Sequence, residues 1–210
     1  ERTGVVPPIS RRFPLFARPA RAPRPMPAVA GQPLHLLTVG RVVPHKRIED
    51  LIEVVALLAQ QGQASHLHVV GSSHNADYRA LLDRTIQTHA LQAHVHLHGM
   101  VSDAELAQQY EAADVLLVAS LHEGFCVPVL ESMHLGLPVV LRSGTAASEV
   151  AGTQAVMFDN NRQCTNRALE LIETVGASRN HALNLESQAL LSKADIQSWL
   201  KTVFNIHSVQ

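Results

Sequence analysis

Short apolar runs alternate along this chain with longer segments whose apolar residues recur at helical spacing, and this alternation constrains the fold more than any other feature. The apolar runs predict strands at Leu34–Val39, His66–Val70, His94–Leu97, Asp114–Ala119, Leu137–Leu141 and Ala155–Phe158. The periodic segments predict helices at Ile48–Gln60, Asp77–His89 and Asp103–Glu111, another that begins near Pro128 and ends at Gly136, and helix in the last fifty residues.

Strands and helices in regular succession are typical of a parallel sheet with helices on both faces, so we predict a Rossmann-like α/β fold. Ligands of such sheets bind beyond the carboxyl ends of the strands, near the point where the strand order reverses. Three loops that follow predicted strands are therefore candidate binding loops: Gly40–Arg47, Gly99–Asp103 and Ser120–Pro128.

The first thirty residues have a different composition from the rest of the chain. They contain seven prolines, which exclude regular helix and central strand, so we predict an extended connector over 1–30 and one folded domain over 31–210. The chain starts at Glu1 rather than at a methionine, and we expect it to be part of a longer protein. No apolar run approaches the roughly 18 residues that a membrane span needs.

Charge is distributed unevenly between these two parts. Residues 1–25 hold six arginines and one acidic residue, whereas the remainder holds eleven basic and seventeen acidic residues, a net charge of −6. An acidic domain does not suit the phosphate backbone of nucleic acid, so we expect no nucleic-acid partner. The basic segment would suit an anionic membrane surface or a neighbouring domain, and the alternative is a solvated linker.

Cysteine and histidine are the candidate metal ligands. Cys126 and Cys164 have neither disulfide-framework nor metal-site spacing, which suits a reducing compartment. Alternate histidines share one face of each of two predicted neighbouring strands, and imidazoles so placed could bind zinc. Because no cysteine or carboxylate cluster accompanies them, we interpret them as partly exposed edge-strand residues and expect no metal site. These histidines are His66, His68, His94, His96 and His98.

The first candidate loop, Gly40–Arg47, contains neither a dinucleotide-binding glycine pattern nor a P-loop. Instead it places Arg41 and Lys46 between the end of a strand and the start of a helix. Arginine can bind a phosphate with two parallel hydrogen bonds, and lysine acts as a mobile point charge. The alternative interpretation is an exposed basic loop.

Two carboxylates, Glu123 and Glu131, flank the junction between a loop and a helix in the third candidate loop. Gly124 allows close approach of the backbone, and the amides at the helix start form an anion site, for which Phe125, Cys126 and Val127 are the donors. Glu131 could accept hydrogen bonds from a vicinal diol such as ribose, and Glu123 could reach the polar groups of a sugar. The alternative is two solvated glutamates.

Five segments between about residue 34 and residue 160 resemble, in the same order, the motifs of the group 1 glycosyltransferases (glycosyltransferase family 4). The spacing of the two glutamates is that of the family's two-glutamate motif. The matching segments are Gly40-Arg41 with 44–52, His98–Ser102 with Ala112–Asp114, Glu123–Glu131, Gly136–Val140 and Glu149–Gly152.

The resemblance implies the C-terminal, Rossmann-like half of a two-domain GT-B enzyme that transfers a sugar from a UDP- or GDP-linked donor with retention of stereochemistry. It implies that Arg41 and Lys46, beside Gly40, hold the donor diphosphate, and that Glu131 binds the ribose. Further roles that it implies are phosphate and sugar binding by Gly124 and the 125–127 amides, a position beside the donor sugar for Glu123, and a base pocket lined by Val101.

The same resemblance implies catalysis by Glu123, Arg41 and Lys46 without a metal, with Glu123 not acting as a nucleophile. It also implies a hexosyltransferase of glycan or polysaccharide biosynthesis, located in the cytoplasm or at the inner membrane face, whose N-terminal acceptor domain lies outside this chain. The isolated chain is therefore expected to be inactive. A binding module without catalysis and a nucleotide-sugar epimerase are the alternatives.

Three positions depart from the family pattern. Ser148 stands where proline is usual, the segment 71–74 replaces an acidic glycine-rich turn, and Cys126 occupies a place often held by glycine. We interpret Cys126 as a small buried side chain rather than a reactive thiol.

Overall fold

The computed structural model of the protein describes residues 33–124 and 126–178. The predicted connector at 1–30, Phe125 and the chain beyond residue 178 lie outside the described residues. Within them, six strands form one parallel sheet in the order β3-β2-β1-β4-β5-β6, which confirms the predicted Rossmann-like fold. The strands are β1 (Leu34–Val39), β2 (Ser65–Val70), β3 (Val95–Gly99), β4 (Val115–Val118), β5 (Val139–Arg142) and β6 (Val156–Phe158).

Helices connect the strands, and every helix predicted between strands is present within two residues of its expected bounds. The described helices are α1 (Ile48–Gln60), α2 (Ala76–Thr88), α3 (Asp103–Ala112), α4 (Val127–Leu135), α5 (Ala146–Ala151) and α6 (Asn161–Ser178), with 3-10 turns at Pro44–Lys46 and Gly152–Gln154. None of the described helices combines the length and the apolar character that crossing a bilayer requires.

Local sequence signals explain where two of these helices begin and end. Ser102 accepts a hydrogen bond from the Glu105 amide and the Glu105 carboxylate accepts one from the Ser102 amide, so the predicted capping box forms at α3. In α4, Pro128 lies in the first turn, and Gly136 ends the helix with a φ of 67°. Helix α5 was not predicted because it has only six residues and carries no extended apolar period.

The core has one layer on each face of the sheet, as expected for strands covered on both sides. One cluster joins β1, β2 and β3 to α1 and α2, with Leu51 and Leu58 of α1 fully buried. The other joins β1, β4 and β5 to α3 and α4, with Val129 of α4 fully buried. These two layers fix the strand ends from which the candidate loops project.

The strand order reverses between β1 and β4, which pair through two residue pairs, Leu36 with Val115 and Leu37 with Leu116. By contrast, β1 and β2 pair over six residues. At the amino end of this seam the buried Asp114 accepts a hydrogen bond from the His35 amide at 2.9 Å and donates its own amide to the His35 carbonyl at 2.7 Å. The predicted strand therefore starts one residue later, at Val115.

The alternate histidines lie together on one sheet face and are joined there by His35. Neighbouring ring centroids are 4.9–6.3 Å apart. The edge-strand interpretation was wrong for His66 and His68, because β2 is an internal strand; of the two strands that carry the alternate histidines, β3 is at the edge of the described sheet. Among the described residues, no group of three or more His, Cys, Asp or Glu is arranged to hold a metal ion.

Candidate functional site

A cavity of about 390 Å³ opens at the carboxyl ends of β4 and β5. The loop after β4 contributes Leu121, His122, Glu123 and Gly124, and the loop after β5 contributes Gly144, Thr145 and Ala146. The cavity therefore includes part of the third candidate loop and lies close to the seam between β1 and β4, where the fold class places its ligands.

Lys46 and Glu123 form an ion pair across the seam. Lys46 Nζ lies 2.5 Å from Glu123 Oε1, and 18% and 10% of the two side chains are exposed. Ser120 Oγ donates to the same carboxylate oxygen at 2.6 Å. The structure thus brings together two residues that the sequence places 77 positions apart, and it pairs a cation with Glu123, which lines the cavity.

The backbones of the first and third loops also meet directly. The Leu121 amide donates to the His45 carbonyl at 2.8 Å, one residue before Lys46 and two before Glu123. Arg41, on the same first loop, is exposed. The loop carrying the two candidate cations is therefore tied to the loop carrying Glu123 by a backbone bond as well as by the ion pair.

Two glycines permit the first loop to pack closely against the end of β2. Gly71 has a φ of +149°, and a Cβ built there would lie 1.8 Å from the Gly40 carbonyl oxygen. Gly40 has a φ of +147°, and a Cβ there would lie 3.4 Å from Lys46 Nζ. The role of Gly71 was missed, although a glycine directly after a strand was the available signal.

Glu131 is buried, whereas a carboxylate that binds the hydroxyls of a ribose is expected to be accessible. Its side chain is 1% exposed, and the Tyr110 hydroxyl donates to Glu131 Oε2 at 2.7 Å. Tyr110 is itself 3% exposed on α3. Sequence reasoning missed Tyr110, because nothing in its spacing indicates that α3 and α4 place these two side chains together.

Cys126 takes the left-handed conformation that begins α4, with a φ of 42°. Glycine adopts this conformation without steric cost, which explains why glycine suits the position. Cys126 is 7% exposed as a residue, and burial raises the pKa of its thiol to about 12, helped by the nearby negative charge of Glu123. The side chain is therefore a neutral, buried thiol, as the sequence interpretation expected.

Ser148 has a definite structural role where proline is usual. The Ser148 amide donates to Thr145 Oγ1 at 3.3 Å, and the Thr145 amide donates to Ser148 Oγ at 3.2 Å. This reciprocal capping box starts α5, and a proline at 148 would lack the amide that it uses. In the loop after β5, hydrogen bonds between Thr145 and Ser148 therefore begin the helix where the family usually has a proline.

The remaining predicted site residues lie around these groups. Gly124 is exposed in the cavity wall, and Val127 begins α4 with its side chain partly exposed. Val101 follows β3 and packs, partly buried, against the core layer on the side of α3. Lys46, Glu123 and Gly124 are thus gathered near the cavity, whereas Glu131 is buried within α4.

Comparison with known proteins places these features in a family context. A family model described as "Glycosyl transferases group 1" matches residues 24–189. The O-antigen chain mannosyltransferase B of Escherichia coli is 28% identical over 127 residues, which cover 60% of this chain and 33% of that protein. The chain spans a fifth to a third of the length of the curated relatives first matched.

Solved structures share the fold at low sequence identity. The HepE protein of Anabaena, in complex with UDP and glucose, has a TM-score of 0.69 and 21% identity, covering 84% of this chain and 50% of that one. The C-terminal domain of a group 1 glycosyl transferase family protein (LpcC) from Francisella tularensis has a TM-score of 0.65 and 20% identity, covering 78% of this chain and 87% of that one.

Proposed function

This chain belongs to the glycosyl transferases group 1 family, and from that premise we propose that it is the nucleotide-sugar-binding half of a retaining glycosyltransferase. The observation that carries the proposal is the Lys46–Glu123 pair beside the strand-order reversal, in which Glu123 lines the cavity. A cation beside a carboxylate at this edge of the sheet suits a substrate that joins a phosphate to a polyhydroxylated sugar.

The reaction chemistry gives the pair distinct tasks. Cleavage of a sugar–diphosphate bond leaves negative charge on the departing phosphate and positive charge on the sugar ring. Lys46, with Arg41 and the amides at the start of α4, stabilises the phosphate charge, and each well-placed donor contributes on the order of a hundredfold in rate. Glu123 contacts the donor sugar and does not act as a nucleophile.

A nucleotide donor is supported by the relatives. The HepE complex contains UDP and glucose, and the E. coli relative is a mannosyltransferase. We infer a UDP- or GDP-linked hexose as the donor, with Glu131 as the ribose ligand and Val101 in the base pocket. Glu131 is 1% exposed and accepts a hydrogen bond from Tyr110, and in this role the Tyr110 hydroxyl holds the carboxylate in place for the ribose.

The rest of the reaction belongs to a longer protein. We propose that an acceptor-binding domain precedes this one, connected through the proline-rich segment 1–30. The enzyme works in the cytoplasm on glycan or polysaccharide acceptors, and its basic segment contacts the inner membrane face. No metal is required, because Arg41 and Lys46 supply the positive charge at the diphosphate.

Calorimetry on the chain with UDP-, GDP- and ADP-linked sugars tests the binding half of this proposal. We expect one nucleotide to bind, and the Lys46→Met variant to bind it about 10-fold more weakly, since one charge-assisted contact is lost. Arg79→Met, which removes a cation from an exposed ion pair on α2, is the matched control. Absence of nucleotide binding by the wild-type chain would refute the donor site.

Transfer assays separate catalysis from binding. The full-length protein should transfer a sugar to an acceptor, whereas residues 1–210 alone should bind the donor and transfer nothing. Binding without transfer in the full-length protein would instead identify a non-catalytic donor-binding module. Formation of an epimerised donor in the absence of acceptor would identify an epimerase.

A further inference from the structure

The buried carboxylate of Asp50 accepts hydrogen bonds from two arginines, Arg47 and Arg142. Asp50, in the first turn of α1, is 6% exposed. Its Oδ1 accepts from Arg47 Nη2 at 2.8 Å, and its Oδ2 accepts from Arg47 Nε at 3.0 Å and from Arg142 Nη2 at 2.7 Å. Because the carboxylate is shielded from water, removal of either partner leaves a charge poorly compensated, so the three side chains act as a unit.

Arg142 extends this unit to the loop after β4. It ends β5, and its Nε donates to the Ala119 carbonyl at 2.8 Å, while Nη1 donates to the Asp159 carbonyl at 3.3 Å. Its guanidinium carbon lies 5.2 Å from the centre of the Phe158 ring. These contacts use the planar fork of arginine in several directions at once, which the single ammonium group of lysine does not reproduce.

Arg47 extends the unit to the loop after β1. It directly follows Lys46, and its φ of 53° and ψ of 45° place it in the left-handed region, where it ends one 3-10 turn and begins α1. A residue with a Cβ adopts this conformation at a cost in free energy, so neighbouring contacts must hold it there. The bidentate bond to Asp50 is such a contact, and Arg47 Nη1 also meets Glu49 Oε1 at 2.8 Å.

From this series of contacts we propose that Arg142 is a positioning residue for the Lys46–Glu123 pair. It fixes Ala119, four residues before Glu123, and through Asp50 it fixes Arg47, the residue after Lys46. The contacts of Asp50 and Arg142 thereby set the separation of the two loops, and the Lys46–Glu123 ion pair joins the loops directly. This role has two parts. The mechanical part, in which Arg142 fixes the two loops relative to each other, is independent of the proposed donor site. The functional part, its effect on nucleotide binding, rests on that site.

Hydrogen exchange tests the mechanical part directly. The Leu121 amide reports the contact between the loops because it donates to His45, whereas the Leu67 amide, which donates to His94, reports the sheet away from them. In Arg142→Gln, Leu121 should exchange at least about 10-fold faster than in the wild type, with Leu67 unchanged. Arg79→Gln, on the exposed face of α2, should change neither amide.

Arg142→Lys keeps the positive charge beside Asp50 and guards against the possibility that Arg142→Gln does not fold. Because its one ammonium group cannot reproduce the arginine contacts to Asp50 and Ala119, Leu121 should again exchange faster with Leu67 unchanged. Unchanged exchange at Leu121 in the folded variants overturns the proposal. Equal acceleration at Leu67 also overturns it, since Arg142 would then act only on general stability.

Binding tests the functional part on the same variants. We measure the affinity for the nucleoside diphosphate that the wild-type chain prefers, UDP or GDP, and for the corresponding nucleoside. Arg142→Lys should weaken diphosphate binding about 10-fold and leave nucleoside binding unchanged, because only the phosphate contact depends on Lys46. Equal affinities for the diphosphate in variant and wild type overturn this part. If the wild type binds no nucleotide, the donor site fails, and the exchange experiment still decides the mechanical role.

Discussion

The Tyr110 hydroxyl donates to Glu131 Oε2 at 2.7 Å, and these residues of α3 and α4 keep only 3% and 1% of their surfaces exposed. A buried carboxylate loses much of its hydration, so a hydrogen bond to it contributes more than one at the surface. This contact couples the stability of the domain to the residue that we propose as the ribose ligand.

The Tyr110→Phe variant should therefore lose both stability and nucleotide affinity. We expect a decrease of about 1–3 kcal/mol in the free energy of unfolding, measured by urea denaturation, because a buried acceptor loses its donor. Ile86→Val is the matched control: Ile86 is buried on α2, packs in the core layer on the other face of the sheet, and does not line the cavity. It should lower stability without affecting nucleotide affinity. If both variants bind nucleotide as the wild type does, the Tyr110 hydroxyl does not hold Glu131 in place for the ribose.

The two members of the site ion pair should respond in opposite ways to neutralisation. Lys46→Met should weaken nucleoside diphosphate binding about 10-fold, whereas Glu123→Gln should leave it equal or stronger, because Lys46 is released from a competing carboxylate. In the full-length protein, Glu123→Gln should still lower the transfer rate by about a hundredfold or more. A parallel loss of diphosphate affinity in both variants would contradict the separate roles, and calorimetry with transfer assays distinguishes these outcomes.

The histidines that lie together on one sheet face predict that the free energy of unfolding decreases in mild acid. Burial, with the neighbouring rings of His96 and His98, lowers the pKa of His68 to about 4, and the pKa values of His66 and His96 are also lowered. The unfolded chain, with histidine pKa values near 6.5, then binds protons more readily than the folded one. Stability should fall as the pH falls from about 6.5 towards 4.

Melting curves between pH 7.5 and pH 4.5 measure this effect. His68→Gln should reduce the acid-induced loss by roughly 1–2 kcal/mol, a value that allows for the partial exposure of the rings. His74→Gln, on the exposed loop after β2, should leave the pH dependence as it is in the wild type. A wild-type melting temperature that does not change with pH across this interval would refute the prediction.

The contact between Gly71 and the first loop predicts a severe effect of a single methyl group. In Gly71→Ala the new Cβ would lie 1.8 Å from the Gly40 carbonyl oxygen, so the backbone must move, and we expect a loss of more than about 3 kcal/mol. Gly62→Ala is the matched control, because its φ is also positive but nothing lies within 4 Å of its Cβ. It should cost only about 1 kcal/mol by urea denaturation.

Much of the fold was predictable because apolar periodicity and capping residues act locally. The bounds of α1, the capping box of α3 and the glycine that ends α4 all follow from neighbouring residues. The strand order and the reversal at β1 and β4 agree with the fold class that these elements indicate. Helix α5 was missed because six small and polar residues carry too little periodicity.

The sequence singled out candidate site residues but not the contacts between them. Lys46 and Glu123 were identified singly, whereas their ion pair depends on how the seam aligns two distant loops. The burial of Glu131 and the buried unit around Asp50 depend on packing between elements far apart in the chain, which no local pattern encodes. Tyr110 and Arg142 therefore emerged only from the three-dimensional structure.

The narrow seam between β1 and β4 has a further consequence. Two residue pairs join the halves of the sheet there, against six between β1 and β2, and the Lys46–Glu123 pair and the Leu121–His45 bond between the loops add to that connection. A donor that contacts Lys46 on one side of the seam and the amides of α4 on the other would connect the two halves of the sheet. Saturating nucleotide should then raise the cooperativity of unfolding as well as its midpoint.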